Sequence, residues 1–133
     1  KDGPSPFSDV RLVRFLRGHS GVIEEAARQF RKMLAWHRSI GMPHLRKSFT
    51  GKPWSAESIP GLPQIFKLLG IDSGSYTSEG NMIWIESLGR VDLQEVVGMS
   101  DEELMVPMDC MFELRQEHFD RLSMDTGRLV KAE

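Results

Sequence analysis

The sequence predicts a mainly helical chain with a single strand of its own. Three observations predict it. Apolar residues recur at helical spacing through 9–38 and again through 104–122. The run MIWIE at 82–86 is the one stretch with convincing strand character. Ser100-Asp101-Glu102-Glu103 is a capping box at the head of a long helix. A chain of 133 residues suits one domain, with room for two sublobes. Its 40% hydrophobic and 27% charged residues are ordinary globular values.

Taken in order, the first residues, KDGPSPFSD, read as a linker cut from a longer protein, with no signal peptide in view. Ser8 or Asp9 caps a first helix running to Arg17. Val10, Leu12, Val13, Phe15 and Leu16 make that helix apolar on most sides, which predicts that it is largely buried. The GHSG at 18–21 is a break. Ser20 then caps a second helix, with Glu24 in its first turn, where a carboxylate suits the dipole. Ile23, Ala26, Ala27, Phe30, Met33, Leu34 and His37 form one buried stripe, and Gly41 and Pro43 end the helix. Phe15, Leu16, Phe30, Leu34 and Trp36 are the expected core of this lobe.

Prolines and glycines crowd residues 43–63, which predicts a surface connection. A short helix follows at 62–69, stopped by Gly70, and 72–81 is a polar turn. The strand at 82–86 has a possible partner around 75–77. Residues 91–97 make a short helix closed by Gly98. In the long helix that starts after Ser100, Pro107 lies too deep for a first-turn proline, which predicts a kink or a restart. Leu104, Met108, Met111, Phe112, Phe119 and Leu122 form its apolar face, and Gly127 ends it.

The net charge of −2 hides an asymmetry. Residues 1–50 hold 10 Lys+Arg against 4 Asp+Glu, a sum of +6, and residues 51–133 hold 7 against 15, a sum of −8. Attraction between the two halves within one fold is the simpler reading, and a basic lobe facing an anionic membrane is the other. Arg11, Arg14 and Arg17 recur every three residues as a ridge on the first helix. They suit pairing with carboxylates of the acidic half, or contact with lipid phosphates.

No catalytic pattern is present: no G-x-S-x-G, no P-loop, no H-E-x-x-H and no dinucleotide fingerprint. The histidines have no metal-ligand spacing. No enzyme activity, cofactor, metal or nucleic-acid partner is therefore expected. No apolar run approaches the ~18 residues of a membrane span. The lone Cys110 excludes an internal disulfide, fits a reducing compartment and reads as a small buried hydrophobe.

Two segments carry a resemblance. LVRFLRGHSGVIEEAARQFRKMLAWHR at 12–38 and GNMIWIESLGRVDL at 80–93, followed by an acidic helix start and a long helix, resemble the CRAL-TRIO family of lipid-binding and lipid-transfer proteins. The resemblance implies a mainly α fragment of an α/β protein. Residues 1–58 would be the helical N-terminal lobe, and 59–133 an incomplete start of the CRAL-TRIO lobe, with its first strand and helices. It implies binding and intermembrane transfer of a phospholipid or other hydrophobic ligand by the parent protein, in the cytoplasm and peripherally at membranes. The alternative from another class is a helical protein-interaction module without lipid transfer.

Five residues are implied in lipid binding: His19, Trp84, Glu86, Met108 and Phe112. Met82, Trp84 and Glu86 share one face of the strand, and Ile83 and Ile85 the other. Trp84 stands where the family has a tyrosine and either lines the cavity, with its indole N–H free as a donor, or is an ordinary core aromatic. His19 stands where phosphatidylinositol-transferring members carry an arginine for the inositol phosphate. A histidine near neutral pH is mostly neutral and makes no bidentate contact, and a solvated loop histidine is the simpler reading. Met108 and Phe112 belong to a methionine-rich last third whose flexible side chains suit varied acyl chains, or simply a helix core. With the rest of the lipid lobe absent, the face of Met82 and Trp84 is expected to lie open to water, and the fragment to self-associate.

Overall fold

A computed structural model describes residues 5, 7–52 and 54–131, without the side chains at 73 and 74. The linker reading of the first residues falls mostly outside that range. Among the described residues six α-helices and one antiparallel strand pair follow in the order α1 (Asp9–Gly18), α2 (Ile23–Ser39), α3 (Met42–Phe49), α4 (Leu62–Leu69), β1 (Ile71–Tyr76), β2 (Met82–Glu86), α5 (Leu93–Gly98) and α6 (Asp101–Thr126). The protein is mainly helical, as the spacing of apolar residues predicts. No described helix is long and apolar enough to cross a membrane.

Local chemistry explains most boundaries. Ser8 accepts a hydrogen bond from the Arg11 backbone N–H and starts α1. Asp92 does the same for α5 through Glu95. Ser100 and Glu103 satisfy each other's backbone N–H groups at the head of α6. Gly70 ends α4 at φ 61°, and a side chain there would meet the Ser87 carbonyl at 2.7 Å.

Several boundary expectations are corrected. Ser20 does not cap α2: it sits at φ 53° inside a turn closed by backbone bonds, and α2 starts after Val22 without a side-chain cap. α2 does end before Gly41 and Pro43, at Ser39, but Pro43 also opens a further helix, α3, where its missing N–H is one that first-turn residues leave unpaired. The connection read at 43–63 thus contains a helix whose two ends, Met42 and Phe49, are buried. Pro63 opens α4 in the same way. Part of the polar turn read at 72–81 is strand β1, which pairs with β2 across an irregularity between Ser73 and Ser75. Pro107 starts no new helix. The carbonyl it leaves without a helical partner, that of Glu103, belongs to an exposed first-turn residue.

The core is organised around α6. One cluster joins Met42 and Phe49 of α3, Leu62, Ile65 and Phe66 of α4, and Cys110, Met111 and Leu114 of α6. A second joins Met82, Phe119 and Val130. The first two helices are packed differently from expectation. On α1 it is Arg11 that is buried, at 2% exposure, while Leu12, Val13 and Leu16 face outward. Trp36 is 47% exposed, Ile23 is also exposed, and Phe15, Phe30 and Leu34 are half-buried. α1 and α2 pack mainly on each other, Phe15 edge-on to Phe30 at 5.1 Å, and only one side of that pair meets α6. The inner face of α6 is correspondingly mixed: Glu113, Glu117 and Asp120 are buried beside Met111, Leu114 and Phe119, and Phe112 is exposed.

Candidate functional site

Two arrangements of side chains hold the chemistry of the described residues. The first is a buried ionic layer where α1 and α3 meet α6. Glu113, Glu117 and Asp120 fall at i, i+4 and i+7 on one face of α6, so their carboxylates stack in a row. Arg11 donates through Nη1 to both oxygens of Glu113 at 3.0 Å and through Nε to Asp120 at 2.8 Å. Arg14 donates through Nε to the other Asp120 oxygen at 2.9 Å and through Nη2 to Ser123. Arg46 pairs with Glu113 and lies 3.5 Å from Glu117. Glu117 also accepts from the Gly51 N–H, the Thr50 hydroxyl and Arg121.

This layer is where the +6 and −8 halves meet, and it accounts for two of the three ridge arginines. Arg17 lies beyond it and is exposed. A buried charge is costly unless it is paired and hydrogen-bonded, and here the donors and acceptors come from α1, α3, the 50–51 turn and α6. His37 lies 3.8 Å from Glu113, and burial lowers its pKa from the usual value against the pull of that carboxylate. The layer has the properties of a structural latch.

The second arrangement is an aromatic shelf on the face of β2 that meets α6. Trp84 packs edge-on to Phe66 at 5.6 Å and lies 6.4 Å from Trp54. The Arg115 guanidinium stacks over the Trp84 ring at 4.7 Å and over Phe112 at 5.0 Å, bridging the two. Met108 packs on the same core cluster as Trp84. The structure therefore groups Trp84, Glu86, Met108 and Phe112 around one side of α6. His19 stands apart, at the C-terminal cap of α1.

Two details of the shelf differ from expectation. The Trp84 indole N–H is not free: it donates to Glu86 at 2.7 Å, a pairing that their i, i+2 spacing on one strand face permits. The face of Met82 and Trp84 is not open to water. Met82 is 0% exposed and Trp84 half-buried, because α6 lies across them, while the opposite face carries Ile83 and the 51%-exposed Ile85. Residues that sequence reasoning missed are Phe66, Trp54 and Arg115. The alternation of β2 placed Trp84 on one strand face with Met82 and Glu86, but nothing in the spacing points to its partners from other segments.

Of the remaining polar candidates, Cys110 is buried and its thiol is pushed up to about 11, first by burial and then by Asp109 and Glu113. His118 shares a 2.9 Å hydrogen bond with the Tyr76 hydroxyl, and burial lowers its pKa. Among the described residues no group of three His, Cys, Asp or Glu side chains is placed to hold a metal ion.

The chain is 26% identical over 126 residues to Sec14 cytosolic factor from Schizosaccharomyces pombe. The match takes in 92% of this chain and 41% of that protein, so the chain spans about two-fifths of its relative's length. No family model matches the chain, and no solved structure does.

Proposed function

We propose that the protein binds a phospholipid or other hydrophobic ligand and transfers it between membranes as a CRAL-TRIO protein, without covalent chemistry. The observation that carries this reading is the likeness to Sec14 cytosolic factor, a CRAL-TRIO protein, across 92% of the chain. It runs through both segments whose motifs resemble the family. In this reading residues 1–58 are the helical lobe, and 59–133 begin the lipid-binding lobe. The protein works in the cytoplasm and visits membrane surfaces transiently. Burial of an acyl or isoprenoid chain, roughly 0.8 kcal/mol per methylene, supplies the affinity.

Trp84, Met108 and Phe112 form an apolar wall in this reading, with Glu86 fixing the indole. A ligand chain laid on the open side of the sheet meets Ile83 and Ile85 instead. His19, distant from the wall, serves as a contact for a headgroup or membrane surface. A second reading, a helical protein-interaction module, is favoured by one observation. An apolar groove of about 360 Å³ between α1 and α2 is lined by Leu12, Leu16, Ile23 and Phe30.

The deciding experiment is organic extraction and lipid mass spectrometry of the purified full-length protein, with a fluorescent-phospholipid transfer assay between vesicles. A stoichiometric co-purifying lipid and vesicle-to-vesicle transfer are expected. Lipid-free protein that moves no lipid overturns the proposal in favour of the interaction module.

A further inference from the structure

The arginines on and around α6 are of two kinds. Arg11, Arg14, Arg46 and Arg121 each pair with a carboxylate of that helix. Arg115 makes no ion pair and no hydrogen bond among the described residues. Its contacts are two rings: the guanidinium carbon lies 4.7 Å from the centre of Trp84 and 5.0 Å from that of Phe112. A ring face attracts the charge but accepts no ordinary hydrogen bond, so the N–H donors are left over. The side chain is half-buried, yet none of its nitrogens is sealed from solvent. Burial works against its charge, and Glu86, engaged with the Trp84 indole, supports that charge only from outside ion-pair range.

Arg115 stands at the end of an apolar stripe. Met105, Met108 and Phe112 precede it by ten, seven and three residues, which puts all four on one face of α6 over about 15 Å. Met105 and Phe112 are each 45% exposed. The stripe is one side chain wide, so it offers room for one extended chain and not for two. Its charge is that of one cation in a half of the sequence that sums to −8. A single negative charge is balanced there, and a second one meets Glu86.

We propose that Arg115 reads the charge of the ligand: it receives the carboxylate of a single-chain fatty acid whose chain lies along Met105, Met108 and Phe112. The unspent donors of the guanidinium match the two oxygens of a carboxylate. A quaternary ammonium is refused. Trp84 and Phe112 are the aromatic faces that would hold one, and Arg115 already lies over both, so a second cation meets like charge. An alcohol of the same length keeps the chain contacts and loses the ion pair. The placement of the chain rests on the lipid-binding reading, and the choice of charge rests on the contacts of Arg115.

Dodecanoate, below its micelle concentration, is the probe, with dodecanol and dodecyltrimethylammonium as the neutral and cationic counterparts. The readout is the 1H–15N NMR spectrum of the full-length protein, in which the Trp84 indole and the Arg115 Nε–H report the site. Saturable shifts of both with dodecanoate are expected, with binding at least about tenfold weaker for dodecanol, the worth of one charge-assisted hydrogen bond, and absent for the ammonium. Arg115→Gln should bring dodecanoate down to the level of dodecanol and leave dodecanol unchanged, whereas a loss of packing would weaken both. Arg115→Lys keeps the charge and should keep part of the preference. Equal binding of the three probes, or a preference for dodecanoate that survives Arg115→Gln, would overturn the proposal. So would uptake of phosphatidylglycerol over phosphatidylcholine from mixed vesicles by protein that ignores dodecanoate. Dodecanoate binding in protein that moves no phospholipid between vesicles would uphold Arg115 and sink the transfer reading instead.

Discussion

Arg11 and Glu113, 102 residues apart in sequence, form a two-pronged ion pair at 3.0 Å with both side chains almost wholly removed from solvent. Arg11 is the buried residue of a helix whose leucines face outward. That inversion ties the docking of α1 on α6 to the ion pair, because breaking one side of a buried pair strands the other charge in low dielectric.

Arg11→Met should therefore cost about 3–5 kcal/mol, more than any apolar truncation on α1. Arg17→Met, one helical face away and exposed, should stay within about 0.5 kcal/mol of the parent. Urea unfolding of the two variants checks both. Equal small losses would mean the ionic layer contributes nothing to the fold.

Acid should weaken the protein through its histidines. Burial lowers the folded-state pKa of both His37 and His118 below the ordinary 6.5. Between that value and the lowered folded values the unfolded chain binds more protons, so stability rises with pH across the window and is lost as pH falls through it. Asp109 acts in the opposite sense. Burial raises its pKa above 3.8, so its share of stability grows as pH falls through the raised value. Denaturant midpoints measured from pH 7 downward should decline, and His118→Gln should flatten the decline. An unchanged slope in that variant would count against His118.

The Cys110 thiol should resist alkylation in the native state. It is buried and its pKa stands at about 11, so thiolate is scarce at neutral pH. Iodoacetamide labelling should follow global unfolding, accelerating in urea with the unfolding transition. Fast labelling of folded protein would show that the α4–α6 core opens locally.

The open face of the sheet predicts self-association of the 133-residue chain. Ile83 and Ile85 present apolar surface there, and Leu88, Leu93 and Val97 are exposed nearby in sequence. Light scattering should show oligomers that Ile85→Lys disperses. A monodisperse monomer would refute this.

The sequence by itself determined where most elements lie and what ends them. The Ser8 cap, the Gly70 and Gly127 stops, the capping box at Ser100 and the alternation of β2 act within a few residues, so they are legible locally. It also determined that the two halves carry opposite charge, and strand alternation put Trp84 and Glu86 on one face of β2. Only the tertiary structure decided which faces became the interior. Leu12 and Leu16 are apolar and Glu113, Glu117 and Asp120 are charged, so periodicity alone places the first inside and the second outside. The chain does the reverse because carboxylates at i, i+4 and i+7 on α6 meet arginines at 11, 14 and 46, whose spacing matches theirs only after the fold brings them together. The partners of Trp84, Phe66, Trp54 and Arg115, were hidden for the same reason. Burial is a property of the pair in contact, and a sequence names one member of the pair at a time.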